Sequence, residues 1–162
     1  MTASAVFNGG VTRYRERLWP SVGLFLAISL LAPAGLLVFL PIGTTIGIVG
    51  AATLLAIGVA FLLLTTPTIE VTDTVLRAGR ASLPLRYVGT AVAITGDEAV
   101  AARGTELDAR AWLLLRGWLP DVVRIENTDA ADPAPYWVVS SRHPDALVAA
   151  LAAATSEAAA RD

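Results

Sequence analysis

A long uncharged stretch constrains this chain more than any other feature. No Asp, Glu, Lys, Arg or His occurs between Leu18 and Ile69. Soluble chains carry about 25% charged residues, whereas this chain carries 16% and concentrates them outside the stretch. The sequence therefore predicts a membrane-embedded segment, followed by a water-soluble half with an ordinary mix of charged and apolar residues.

The uncharged stretch divides at a turn, residues 41–45, into two apolar segments. They cover residues 20–40 and 46–64, and each is close to the roughly 20 residues that a helix needs to cross a bilayer. Backbone polar groups in lipid must be satisfied internally, so we predict two transmembrane helices joined as an antiparallel hairpin. Pro33 should interrupt the first helix near the preceding turn, because proline has no backbone N–H to donate.

Arginines flank both outer ends of the predicted hairpin, while its connecting turn carries no charge. Because positive residues favour the cytoplasmic side, we expect a multi-pass membrane protein with both termini in the cytoplasm. A cleaved signal peptide is disfavoured. The apolar core of a signal peptide is shorter than the first segment of this chain, and here a second apolar segment follows the first. The expected anchors at the membrane interface are Arg15, Arg17 and Trp19.

Small residues recur at four-residue spacing on the second span, at Gly43, Gly47 and Ala51. Such a face lets two helix backbones approach closely. The sequence leaves two partners open for this helix-packing face: the first span of the same chain, or a second copy in a homodimer.

The soluble half begins with an alternating pattern, in which Ile69 and Val71 lie on one face of a strand and Glu70 and Thr72 on the other. Six further strands are predicted before a helix that opens at Pro144, a residue type suited to the first helical position. This order is typical of an all-β pleckstrin-homology-like barrel of about seven strands with a C-terminal helix, although an α+β sandwich would give the same pattern. The predicted organisation is an N-terminal cytoplasmic arm (1–17), a transmembrane hairpin (18–66), a cytoplasmic domain (67–154) and an Ala-rich tail (155–162).

Several segments together resemble a family of uncharacterised actinobacterial membrane proteins, domain of unknown function 3093. The resemblance rests on residues 14–21 (YRERLWPS), 66–73 (TPTIEVTD), 76–80 (LRAGR) and 133–144 (PAPYWVVSSRHP). The soluble half is also similar to bacterial pleckstrin-homology-like domains that open with an Ile-x-Val-Thr-Asp strand. The resemblance implies a membrane hairpin and a barrel, but no activity.

Composition argues against several functional classes. The net charge of −2 and the absence of a cation cluster disfavour nucleic-acid binding. With no Cys and one His, a disulfide, a thiolate nucleophile or a histidine metal cluster cannot form. Asp129 and Asp132 lack the glycine and terminal glutamate of a calcium loop and are typical of a hairpin turn. We therefore expect no metal, no cofactor and no catalytic residues.

Arginines and aromatic residues in predicted turns and strand ends suggest a surface that binds a partner, because both are enriched at interfaces. His143 follows Ser140 and Ser141, but neighbouring strand positions point in opposite directions, so no catalytic dyad is expected. Nine arginines against thirteen acidic residues in the soluble half disfavour a lipid-headgroup site. The candidate interaction surface comprises Arg116, Trp118, Tyr136, Arg142 and His143.

Three functions are compatible with these features. The favoured one is a non-enzymatic inner-membrane protein whose cytoplasmic domain binds or scaffolds a membrane-associated protein partner, with the lipid bilayer as its second partner. The alternative is a small membrane component of a transport or envelope-maintenance complex. An intramembrane transporter is disfavoured, because neither span carries an ionisable residue that could relay an ion. A hydrolase is the least favoured.

Overall fold

The computed structural model describes residues 11–160, which divide into two compact units. One is the hairpin unit, residues 19–67. The other is the sheet unit, which combines residues 11–18 with residues 68–160 and is therefore built from two separate stretches of the chain. Residues 1–10 of the predicted arm and residues 161–162 of the predicted tail lie outside the described residues.

The hairpin unit contains two apolar helical stretches. Val22–Phe39 and Thr44–Leu64 are 18 and 21 residues long, and both are long and apolar enough to cross a membrane. Their side chains are mostly exposed, so neither stretch is the buried core helix of a soluble domain. The helices are α1 (Val22–Ser29), α2 (Leu31–Phe39) and α3 (Thr44–Leu64).

Pro33 accounts for the break between α1 and α2. It has no N–H to donate to the carbonyl of Ser29, four residues earlier, where α1 ends. The backbone N–H of Leu30 instead donates to the carbonyl of Ala27, at 3.3 Å. The predicted interruption of the first apolar segment is confirmed.

Small residues bring α2 and α3 close together. A Cβ on Gly35 would lie 3.0 Å from the Cα of Ala51, and one on Gly47 would lie 3.4 Å from the backbone of Leu40. Gly47 and Ala51 are buried, whereas Gly43 forms the N-cap of α3 and is half-buried. Two of the three residues of the predicted packing face therefore contact the first apolar segment of the same chain.

Four antiparallel strands form the first sheet of the sheet unit, in chain order. Residues predicted to be a separate N-terminal arm supply its edge strand, with Arg17 paired to Thr68. The whole hairpin unit is thus inserted between two neighbouring strands. At the next turn Gly79 adopts a positive φ of 61°, which glycine tolerates without a steric cost. The strands are β1 (Thr12–Arg17), β2 (Thr68–Thr72), β3 (Val75–Ala78) and β4 (Ala81–Pro84).

The second sheet has the order β5-β7-β8-β6, and its β6–β8 pair is parallel. A short helix, α4, follows β5, and the final helix, α5, begins at the predicted Pro144. The elements are β5 (Val88–Ile94), α4 (Gly96–Arg103), β6 (Trp112–Leu114), β7 (Val122–Asn127), β8 (Tyr136–Ser140) and α5 (Pro144–Ala159).

The seven-strand barrel predicted for the soluble half does not close. All seven predicted strands are present, but β1 makes an eighth, and the described strands pair within two separate sheets. The structure is therefore α+β, the alternative that the sequence left open.

Two apolar clusters hold the sheet unit together. The first joins both sheets to α5, and includes Ile69, Ile125 and Leu147 with essentially no solvent exposure. The second lies on the other face of the second sheet, where α4 covers part of β7 and β8. Each fully buried Leu or Ile contributes about 1.5–3 kcal/mol, so covering the second sheet on both faces stabilises it strongly.

Candidate functional site

A buried carboxylate connects the beginning of the chain to its end. Glu16 in β1 is 8% exposed and accepts hydrogen bonds from Tyr14 Oη (2.8 Å), Ser141 Oγ (2.6 Å) and the backbone N–H of Arg142 (2.7 Å). Tyr14 and Glu16 share the inward face of β1, because side chains alternate along a strand. The bonds therefore join β1 to the link between β8 and α5.

The donors around Glu16 offset the cost of burying its carboxylate. Burial, together with the hydrogen bond to Glu16, raises the pKa of Tyr14 to about 12. The Tyr14 hydroxyl consequently keeps its proton at alkaline pH values where an ordinary tyrosine ionises. This arrangement stabilises the junction between β1 and the segment that links β8 to α5.

Ser141 connects the Glu16 carboxylate to the backbone just before α5. Its side chain is fully buried and its hydroxyl donates to Glu16, while its Oγ accepts from the backbone N–H of His143 at 3.1 Å. His143 itself is exposed. The hydroxyl proton is therefore directed toward the Glu16 carboxylate.

The end of β8 brings three of the predicted interaction residues together. Ser140 Oγ accepts from the backbone N–H of Arg116 at 3.0 Å, and Arg142 and His143 follow Ser140 by two and three residues. Arg142 and His143 are exposed, and Arg116 is half-buried. These residues form a polar surface at one end of the second sheet.

Trp118 contributes more to packing than the sequence suggests. It is half-buried against the first apolar cluster, and the guanidinium carbon of Arg116 lies 5.9 Å from its ring centroid. Trp112 and Trp137 pack together with ring centroids 4.1 Å apart, as expected for core residues.

Tyr136 lies inside the protein, which differs from the exposed position expected for it. It is 7% exposed because β8 is an inner strand, flanked by β7 and β6. Its hydroxyl accepts from the backbone N–H of Asp108 at 2.7 Å, and the guanidinium of Arg124 covers its ring at 4.0 Å. It stands at the opposite end of β8 from Arg142 and His143.

An open groove of about 490 Å³ lies on the outer face of the second sheet, beyond the area that α4 covers. The groove could not be predicted from the apolar sequence of β5, which is typical of a strand buried on both faces, yet Val92 is 49% exposed. The one sequence signal that could have indicated the groove is the pair of opposite charges on β7, Arg124 and Glu126. The groove is lined by Thr90, Val92, Ile94, Arg124, Glu126, Pro135 and Tyr136.

The groove wall is shaped by a bulge in β5. The register with β7 shifts between Val88 and Ala91, and the displaced N–H of Thr90 donates to Glu126 Oε2 at 3.2 Å. A Cβ on Gly89 would lie 2.7 Å from that oxygen, so a larger residue there would require the Glu126 side chain to move. Arg124 and Glu126 thus place both signs of charge beside apolar side chains.

Acidic side chains in the described part of the chain do not assemble a metal site. No group of three or more potential ligands is found among residues 11–160. Asp129 and Asp132 accept hydrogen bonds from the backbone N–H groups of Ala131 and Ala134, as expected for a hairpin turn.

The family model for a protein of unknown function, DUF3093, matches residues 13–151. The chain belongs to the DUF3093 family. The match begins in β1 and ends in α5, so the DUF3093 region includes both units and the Glu16 junction. The resemblance to domain of unknown function 3093 is confirmed. Neither the curated proteins nor the solved structures include a match to this DUF3093 chain.

Proposed function

We propose that this chain is a non-enzymatic inner-membrane protein whose cytoplasmic sheet unit binds a membrane-associated protein partner. The hairpin unit would hold it in the bilayer, as a multi-pass anchor with both termini in the cytoplasm. The single observation that carries the proposal is the insertion of two apolar helical stretches between the paired strands β1 and β2.

Strand pairing supports the topology independently of the flanking arginines. Arg17 and Thr68 are register partners, so the chain leaves and re-enters the sheet unit at adjacent positions. A segment that starts and ends at one place must cross a membrane an even number of times. Two stretches of 18 and 21 residues satisfy that requirement.

The groove on the second sheet supports a protein partner. Arg124 and Glu126 present both charges beside Val92, Ile94 and Pro135, which suits a peptide surface better than a polyanion. Exposed apolar groups rimmed by polar ones are typical of contact surfaces, and the Arg124–Tyr136 pair combines two residue types that are enriched at binding hot spots.

Photo-crosslinking in cells tests the groove. A photoreactive residue at Val92, in the groove, should give a discrete protein adduct, whereas one at Val100, 61% exposed on α4 and outside the groove, should not. Arg124→Glu should weaken the Val92 adduct at least tenfold if Arg124 is a hot spot. Equal adducts from both sites, or none from Val92, would contradict the proposal.

Reporter fusions test the anchor. Fusions after Asp162 and within the turn at Gly43 should report opposite compartments, with the C-terminal fusion in the cytoplasm. The same compartment for both sites would exclude the membrane hairpin.

A further inference from the structure

The outer face of the first sheet carries a concentration of arginines, which we call the basic face: Arg15, Arg17, Arg77 and Arg80. Arg15 pairs with Glu70, which pairs in turn with Arg77, so these side chains share one face. All four arginines are exposed. Among the described residues, none forms an ion pair with Arg15, Arg77 or Arg80.

Folding separates the charges that are mixed along the sequence. The first sheet and its turns hold five arginines and three acidic residues, and one of the three, Glu16, is turned into the core. Residues 85–160 hold six arginines and ten acidic residues. An anionic surface that the whole unit would repel can therefore still attract the basic face, because screening limits charge interactions to about 10 Å.

The basic face also lies at the end of the sheet from which the chain continues into the apolar segments. Arg17 pairs with Thr68, and the carbonyl of Thr68 accepts from Gly79 N–H at 2.8 Å, which puts the Arg80 turn at the same end. Only four residues separate Arg17 from Val22, and only three separate Leu64 from Thr68. Tethers this short keep the basic face close to the surface of any membrane that holds the hairpin.

We infer that the basic face binds the headgroups of anionic phospholipids in the membrane that holds the hairpin, an inference that rests on the proposed function. Guanidinium groups donate in a fork that matches phosphate oxygens. Near an anionic surface each arginine favours the bound state roughly five-fold. Headgroup binding would fix one face of the sheet unit against the bilayer and leave the groove on the second sheet for a protein.

Energy transfer in lipid nanodiscs tests this inference with the full chain. The chain contains no Cys, so Ser82→Cys, exposed on the basic side of β4, accepts a single fluorescent donor. The acceptor is a labelled headgroup. Replacing part of the phosphatidylcholine with phosphatidylglycerol should increase transfer from Ser82→Cys, and high salt should reverse the increase.

Two triple variants with equal charge loss separate a specific face from net charge. In the first, Arg15, Arg77 and Arg80 become Gln, which should lower the docked-to-undocked ratio by roughly a hundred-fold. In the control, three exposed arginines elsewhere become Gln and the ratio should stay within about two-fold. If the first variant loses its near-UV circular dichroism, the salt titration of the wild type decides the question. The control residues are Arg13, Arg86 and Arg110, which belong neither to the basic face nor to the groove.

The outcomes distinguish the two proposals. Incorporation into nanodiscs without any dependence on phosphatidylglycerol, or equal losses in the two triple variants, would overturn headgroup binding and leave the membrane anchor intact. Failure of the chain to incorporate into any nanodisc would overturn the anchor and headgroup binding together.

Discussion

Glu16 shows how one residue can have different roles in the sequence and in the fold. It lies between Arg15 and Arg17, in a segment that the sequence assigns to a membrane-flanking arm. In the structure its carboxylate is buried and accepts three hydrogen bonds, two of them from Ser141 and Arg142. Partners 125 and 126 positions away leave no local pattern, so the junction could not be predicted from the sequence.

Removing this carboxylate should destabilise the sheet unit. Glu16→Ala leaves the Ser141 hydroxyl and the Arg142 N–H without their acceptor, and should cost about 2–3 kcal/mol. Thermal unfolding of the detergent-solubilised chain, followed by near-UV circular dichroism, measures the loss. Glu106→Ala, at an exposed position, is the matched control and should change stability by less than about 0.5 kcal/mol. Equal losses of stability in Glu16→Ala and Glu106→Ala would mean that the hydrogen bonds to Glu16 do not stabilise the sheet unit.

Tyr14 should make stability fall at alkaline pH. Its pKa is raised from 10.0 to about 12 in the folded chain, so the folded state keeps a proton that the unfolded state loses. The stabilisation is fully present below about pH 10 and is lost as the pH rises toward 12. In Tyr14→Phe this dependence should disappear, so the difference in unfolding midpoint between wild type and variant should shrink across that range. If the difference in unfolding midpoint between wild type and variant stays constant across that pH range, the raised pKa of Tyr14 is contradicted.

The elements of the sheet unit were largely predictable, but their pairing was not. Alternation and turn residues correctly indicated seven strands and the helix at Pro144. β1 was missed because three of its six residues are arginines, which also suit a membrane flank. The parallel pairing of β6 with β8 skips β7, which lies between them in the chain, and no sequence period encodes it. The pairing of β1 with β2 and the parallel pairing of β6 with β8 distinguish the α+β structure from the predicted barrel.

Within the hairpin unit, the contact between α2 and α3 depends on glycine. Gly35→Leu would place a side chain where Ala51 Cα and Leu54 Cδ1 lie only 3.0 Å from a Cβ, and should destabilise the unit by about 1–3 kcal/mol. Gly23→Leu is the matched control, because a Cβ there meets only Ser21 Oγ at 3.8 Å. During titration with sodium dodecyl sulfate, Gly35→Leu should lose its helical circular dichroism signal at a lower detergent concentration than the wild type. Gly23→Leu should behave like the wild type. Coincident curves would exclude a tight contact at Gly35.

At the scale of the whole molecule, a contiguous soluble domain beginning near residue 67 does not describe the sheet unit. Residues 11–18 belong to it, and Leu18 is fully buried in its core. The apolar pattern located the hairpin correctly, but it could not indicate that the strand before the hairpin pairs with the strand after it. The same pairing brings the basic face to the end of the sheet next to both tethers.

Two shortened chains should therefore behave differently. Residues 67–162 alone lose β1, the Glu16 hydrogen bonds and Leu18, which leaves β2 as an unpaired edge strand. Joining residues 11–18 to residues 67–162 through an Asn-Gly turn restores them, because Arg17 and Thr68 are already register partners. Urea unfolding should be cooperative for the joined chain, whereas the chain from residue 67 should be less stable by at least about 3 kcal/mol, given the buried leucine and the unpaired donors. Equal stability of the two chains would show that β1 is dispensable, and would return the sheet unit to the contiguous domain that the sequence suggests.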